Sequence, residues 1–190
     1  MKVLIVIPAY NEQENIERVV DDLIQNYPQY DYLVVNDGSK DRTAAICREK
    51  GYHFLDLPVN LGLAGAFQAG MRYADRMDYD MAIQFDGDGQ HDPQYIEAMA
   101  AKMEEEALDV VIGSRFRDKK KPLSLRMMGN QMIQLAIQIT TGVTIKDPTS
   151  GMRMFNRSMI REFAHNLNYG PEPDTIAYLL RNGASVQEVQ

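Results

Sequence analysis

The sequence predicts an α/β fold in which helices flank a mostly parallel central sheet. Short apolar, β-branched runs recur at Val3 to Ile7, Tyr32 to Val35, His53 to Leu57, Met81 to Phe85 and Val110 to Gly113. Segments with helix-start signals lie between them, so strand and helix alternate over the first 113 residues. Parallel strands joined by right-handed crossovers satisfy that order, and they place ligands beyond the carboxyl ends of the strands.

The elements follow in order. Pro8 ends the first run, and Asn11 with Glu14 three residues on predicts a capped helix to about Asn26. Ser39 or Asp41 opens a second helix after Tyr32 to Val35. The small residues of Asn60-Leu61-Gly62-Leu63-Ala64-Gly65-Ala66 suit close helix packing; the G-x-x-G spacing is not a dinucleotide fingerprint, and no Gly-Lys-Ser/Thr of a Walker loop occurs. Asp92-Pro93 reads as an N-cap with Pro at N1, opening a helix to about Ala107. Leu123 to Val143 reads as a Met-rich amphipathic or packed helix closed by Gly142, followed by a helix near Arg157 to Ala164 and a last one reaching Arg181. Ala184 to Val189 reads as a terminal strand, so a single domain over residues 1–190 is expected, one that stops at its last strand.

Composition narrows the function. At 190 residues and 45% hydrophobic the chain can bury one full core. A net charge of −7 and a pI near 5.0 argue against non-specific nucleic-acid binding. Cys47 is the single cysteine, which excludes disulfide frameworks, fits a reducing cytoplasm and predicts a buried small hydrophobe. No signal peptide is legible, and no apolar run approaches the ~18 residues of a spanning helix, so any membrane association is expected to be peripheral.

The most informative stretch is Gln84-Phe85-Asp86-Gly87-Asp88-Gly89-Gln90-His91-Asp92, where an apolar strand delivers two carboxylates one residue apart into a glycine-flanked turn. Alternate strand residues share a face, and carboxylate and amide oxygens suit Mg2+ or Mn2+ shared with substrate phosphates. A calcium loop fails because His91 stands where the sharp turn needs Gly. His91 reads as a further ligand or as a cap for the next helix, while His53 and His165 read as structural. Asp37, in Asn36-Asp37-Gly38-Ser39, reaches the same rim; it reads as an Asx-turn residue or as an acceptor for a base N–H. Downstream, Arg115, Arg117, Lys119, Lys120, Lys121 and Arg126 stand against Asp118 alone, and Arg115 follows a buried strand where a guanidinium can grip phosphate.

Taken together, Ile7-Pro8-Ala9-Tyr10-Asn11-Glu12, Asn36 to Thr43, Asn60-Leu61-Gly62, Asp86 to His91, Gly113-Ser114-Arg115 and Asp147 to Arg153 resemble family-2 glycosyltransferases, nearest to the dolichyl-phosphate mannose synthase and polyprenyl-phosphate glycosyltransferase group. The resemblance spans nearly the whole chain in the family's order. It implies a GT-A fold, a UDP- or GDP-sugar donor and a divalent cation, Mg2+ or Mn2+. By position, Pro8, Ala9, Tyr10 and Glu12 would line the nucleoside pocket and Asp37 would bind the base, with Gly62, Asp86 and Gly87 completing the nucleotide-sugar set. Asp86, Asp88 and Gln90 would hold the metal, and Asp88 and Arg115 would act at the reacting diphosphate. Arg115, Arg126, Asn130, Ser150 and Arg153 would hold the donor diphosphate or an acceptor phosphate. Asn36 stands where the family often has a first Asp.

The implied activity is an inverting transfer to a polyprenyl phosphate at the cytoplasmic face of a membrane, within cell-wall polysaccharide synthesis. An anionic phosphate oxygen needs no strong base. The alternative, transfer to a polysaccharide hydroxyl, needs one, and Glu172 and Asp174 ahead of the last helix are the candidates, with helix capping as their structural role. A non-catalytic sugar-nucleotide-binding subunit is the third reading. Relatives usually continue past the last strand, which leaves room for a small membrane-protein partner or a homo-oligomer.

Overall fold

The computed structural model describes residues 1–85, 93–113, 125–166, 170 and 172–189, with main chain alone for 125–130. Their elements are β1 (Val3–Ala9), α1 (Ile16–Asn26), β2 (Asp31–Asn36), α2 (Thr43–Lys50), β3 (Phe54–Asp56), α3 (Gly62–Arg76), β4 (Met81–Gln84), α4 (Tyr95–Glu105), β5 (Val110–Gly113), α5 (Leu125–Thr141), β6 (Arg153–Asn156), α6 (Arg157–His165), α7 (Pro173–Arg181) and β7 (Val186–Val189). They group into two compact units, Met1–Pro93 with Phe155–Gly170 and Gln94–Met154 with Pro171–Gln190.

In the first unit the strands run β3-β2-β1-β4, followed by Phe155 and Asn156 of β6. The three pairings among β1 to β4 are parallel, and β1 sits between two partners, Leu4 opposite Asp31 on one side and Ala82 on the other. A strand bonded on both edges and covered on both faces reads as a continuous apolar run, which is why Val3 to Ile7 carries no alternation. Helix α3 lies close against β1 because Gly70 lacks a side chain: a Cβ there would fall 2.3 Å from Val6 Cγ1. Phe67, Phe155 and Phe163 form a ring cluster with centroids 5.1 to 5.5 Å apart. Asn156 caps α6, its side chain accepting the Met159 N–H at 2.9 Å.

In the second unit Arg153 and Met154 of β6 are followed by β5 and β7. The β5–β7 pair is parallel, with Val110 opposite Val186. Below it Asp109 and Ser185 exchange bonds: the Asp109 N–H donates to Ser185 Oγ at 2.9 Å, and the Ser185 N–H to Asp109 Oδ2 at 2.9 Å.

Several boundaries move from their sequence-based positions. Pro8 does not end β1; it lies inside it opposite Val35, past Val6, the last β1 residue in register with β4. Helix α1 begins at Ile16, after a turn in which the Asn15 and Ile16 N–H groups donate to the Glu12 carbonyl, and Asn11 is not its cap. Helix α4 starts at Tyr95, two residues past Pro93; the proposed cap Asp92 lies outside the described residues. Strand β6 was not anticipated, because Arg153-Met154-Phe155-Asn156 is too short and interrupted for a periodicity signal.

Candidate active site

The rim of the first unit is set by register. Pro8 pairs with Val35 and Ala9 with Asn36, so β1 and β2 end at the same level and the chain leaves both strands side by side. The Asp37 N–H donates to the Ala9 carbonyl at 2.9 Å, continuing that pairing one residue past the strands. Pro8 is partly buried, Ala9 buried, Tyr10 exposed and Glu12 half-buried, its carboxylate accepting from Asn15 Nδ2 at 3.0 Å.

Beyond this point the turn after β1 and the loop after β2 interlock. Three successive N–H groups of the turn donate to three side-chain oxygens of the loop: Asn11 to Ser39 Oγ at 3.0 Å, Glu12 to Thr43 Oγ1 at 2.9 Å and Gln13 to Asp41 Oδ2 at 3.1 Å. The bonds are reciprocated. The Lys40 N–H donates to Asn11 Oδ1 at 2.9 Å and the Arg42 N–H to Gln13 Oε1 at 3.1 Å. Asp41 also receives the Thr43 N–H at 2.9 Å and the Thr43 hydroxyl at 2.6 Å, both on Oδ1. Partial burial works to raise the Asp41 carboxyl, but the bonds from Thr43, Gln13 and its own amide outweigh it and hold the group below the ordinary carboxylate value. Asn11 adopts a left-handed φ of 57°, a conformation that Asn tolerates better than most residues.

A third segment closes on the same rim. Asp37 is almost wholly buried, and its Oδ1 accepts the Leu61 N–H at 2.7 Å. Gly38 adopts φ 64°, and a Cβ there would lie 2.7 Å from both Val59 C and Asn60 N, so the close approach of residues 59 and 60 needs Gly. Gly62 has φ 74° and donates its N–H to Asn60 Oδ1 at 3.0 Å. Asn36 is also buried; its Nδ2 donates to Asp56 Oδ1 at 2.6 Å, while its Oδ1 has no hydrogen-bond partner among the described residues. Asp56 in turn pairs with Arg48. The strand next to β1 ends at the same edge, with the Phe85 N–H bonded to the Val6 carbonyl at 2.9 Å. Asp86, Gly87, Asp88, Gln90 and Arg115 follow β4 and β5 in sequence and lie outside the described residues, as do the side chains of Arg126 and Asn130. Among the described residues no three His, Cys, Asp or Glu side chains cluster in a metal-binding arrangement.

In the second unit Ser150 and Arg153 are both about 1% exposed. Ser150 Oγ donates to the Gly113 carbonyl at 2.5 Å. Arg153 donates to three main-chain carbonyls: Nε to Ser150 at 3.0 Å, Nη2 to Pro148 at 2.7 Å and Nη1 to Glu172 at 3.2 Å. The guanidinium thus knits the turn from Asp147 to Met152 to the start of α7. Glu172 occupies the N-cap position of α7 without a side-chain capping bond, and Asp174 lies in its first turn; both side chains are exposed.

Sequence reading missed Ser39, Asp41 and Thr43 as a set. Their signal was present as the i, i+2, i+4 spacing of oxygen-bearing side chains, but nothing local shows that a turn 28 residues away supplies the donors.

A mostly parallel sheet whose strand ends carry a polar, glycine-dependent rim defines an α/β class of protein, in which ligands bind beyond the carboxyl ends of the strands. Residues 4–163 match glycosyl transferase family 2, and the chain belongs to that family. The undecaprenyl-phosphate mannosyltransferase of Micrococcus luteus is 30% identical over 202 residues, covering 100% of this chain and 82% of its own. A UDP-N-acetylglucosamine–dolichyl-phosphate N-acetylglucosaminyltransferase of Methanococcus voltae is 29% identical, covering 87% of this chain and 73% of its own. The fold is that of the GT-A glycosyltransferases. A Pyrobaculum calidifontis mannosyltransferase solved with GDP-Man and Mn2+ superposes with a TM-score of 0.70 at 18% identity, covering 99% of this chain and 54% of its own. Glucosyl-3-phosphoglycerate synthase of Mycobacterium tuberculosis, with Mn2+, UDP-glucose and phosphoglyceric acid, gives 0.64 at 19%, covering 83% and 57%. This chain therefore spans little more than half the length of those two solved relatives.

Proposed function

We propose that this chain transfers a sugar, with inversion at the anomeric carbon, from a UDP- or GDP-sugar to a polyprenyl phosphate. The observation that carries the reading is the interlocked rim at the ends of β1 and β2, which fixes Pro8 to Glu12 and Asp37 in one frame. Such a frame suits a flat nucleoside, with Ala9 and Pro8 beneath it and Tyr10 exposed beside it. Asp37 supports the base side of the pocket through Leu61, and Gly62 opens α3 beside it.

The donor set Asp86, Asp88 and Gln90 consists of hard oxygen ligands beginning one residue past Phe85, where β4 runs out, and fits Mg2+ or Mn2+. When bound, the cation supplies Lewis-acid stabilisation of the departing diphosphate. Arg115, Arg126 and Asn130 would bind phosphate oxygens, while Ser150 and Arg153 would act through the turn they hold in shape.

The acceptor is inferred from the curated relatives, two of which are named for undecaprenyl and dolichyl phosphate. One feature of this chain agrees with it. Met132, Leu135 and Ile139 are 74%, 57% and 74% exposed at i, i+3 and i+7 on α5, an apolar stripe suited to the surface of a bilayer. No helix among the described residues is long and apolar enough to cross a membrane. Work at the cytoplasmic face, alone or beside a membrane-protein partner, follows from this reading.

The test incubates the protein with labelled UDP- and GDP-sugars, undecaprenyl phosphate and Mn2+. A labelled lipid is expected and should vanish with EDTA; no lipid product from any common donor overturns the acceptor. Glu172→Gln and Asp174→Asn separate the polysaccharide alternative, which loses turnover by orders of magnitude if either residue is its base.

A further inference from the structure

We infer that Asp41 and Thr43 are positioning residues for the donor pocket, setting nucleotide affinity through the main-chain turn of residues 11–13 without touching the nucleotide. The inference rests on the reading of that turn as the nucleoside pocket.

The geometry is two-way, and each bond joins a main-chain amide to a side-chain oxygen. Side chains of residues 39, 41 and 43 receive the amides of residues 11, 13 and 12, and the amides of 40 and 42 donate back to side chains 11 and 13. Successive residues of the loop alternate between accepting by side chain and donating by main chain, as in a strand ladder built half from side chains. Within it Asp41 is the hub: one oxygen holds Gln13, and the other holds both the amide and the hydroxyl of Thr43. The Thr43 hydroxyl proton is committed to Asp41, so its lone pairs are left for the Glu12 N–H. Asp41 therefore orients the acceptor that fixes Glu12, the half-buried carboxylate of the pocket. Asn11 at φ 57° is a conformation that the free turn would leave readily, and the clamp holds it. Losing one arm leaves the fold of β1 and β2 intact but frees Tyr10 and Glu12 to reorient, which costs binding, not chemistry.

The test compares wild type with Thr43→Val, Thr43→Ser and Asp41→Asn by calorimetric titration of UDP and GDP with Mn2+, and by donor KM and kcat. Thermal melts monitor folding. Thr43→Val keeps the shape and removes the acceptor, and should weaken nucleotide binding and raise donor KM by about tenfold, the scale of a lost hydrogen bond, with kcat within roughly twofold. Thr43→Ser restores the hydroxyl and should restore affinity; Asp41→Asn offers one oxygen where two are used and should match Thr43→Val. If Asp41→Asn does not fold, Ser39→Ala, which removes the Asn11 arm, replaces it. Wild type binding neither nucleotide overturns the pocket reading itself, and the inference with it. Wild type that binds, with Thr43→Val binding as tightly or losing kcat in place of affinity, overturns the positioning role alone.

Discussion

Asp37 Oδ1 stands 2.7 Å from the main-chain nitrogen of Leu61, 24 residues further along the chain. This bond ties the loop after β2 to the start of α3 from inside the protein, where Asp37 is 3% exposed. Asp37→Ala removes the buried acceptor of a part-buried bond, and a loss of about 1–2 kcal/mol is expected in urea unfolding, with nucleotide affinity falling in parallel. Unchanged stability would show that the loop finds another acceptor.

Close packing of α3 on β1 depends on Gly70. Gly70→Ala forces a methyl group to within 2.3 Å of Val6 Cγ1. The gain in helix propensity, at most ~1 kcal/mol, is outweighed by an overpacking cost of about 1–3 kcal/mol. Val6→Ala on the same background should recover part of the loss, which a double-mutant cycle of unfolding free energies reads directly.

Arg153 carries a charge in the interior, held by the carbonyls of Pro148, Ser150 and Glu172. Arg153→Met removes every donor, leaves those carbonyls without this partner and should destabilise by about 3 kcal/mol or more. Arg153→Lys keeps the charge but not the fork, and should fall between the two in a thermal melt.

Acid should open the clamp at Asp41. Its carboxyl is held below the ordinary value in the folded protein, so it binds its proton more readily when unfolded. Its contribution is therefore present above the unfolded value, near pH ~4, and is lost as pH falls through the lower folded value. The stability difference between wild type and Asp41→Asn should be constant near neutrality and shrink below about pH 4 in denaturant titrations.

Cys47 is buried, and burial first, then the nearby Asp56 carboxylate, pushes its thiol up to about 11. Native protein should resist a thiol reagent at neutral pH, and unfolding in urea should expose one reactive equivalent. Rapid labelling of the native state would place the thiol at the surface.

Much of the fold is legible in the sequence. The runs at Val3, Tyr32, Met81 and Val110 became β1, β2, β4 and β5 because burial within a parallel sheet leaves a local mark in the chain; the run at His53 became β3, a partly buried edge strand, and Cys47 is buried on α2. Asn36 to Ser39 could be placed at a strand end for the same reason. The role of Asn11 was not legible: Asn followed by Glu three residues on satisfies a capping pattern, yet its side chain serves Lys40, because that amide is brought to it only by the pairing of β1 with β2. Short strands defeat periodicity, as β6 did.

By itself the sequence determined the alternation of strand and helix, the strand ends of the first 113 residues, and the place of Asp86 and Asp88 in the chain just past β4; these rest on hydrophobic pattern and local residue chemistry. Only the tertiary structure decided that Ser39, Asp41 and Thr43 receive the amides of residues 11 to 13, that Asp37 reaches Leu61, and that Arg153 serves three carbonyls. Each of these joins a side chain to a main-chain group set in place by sheet register or helix packing, and a polar side chain in sequence carries no record of which distant amide or carbonyl will need it.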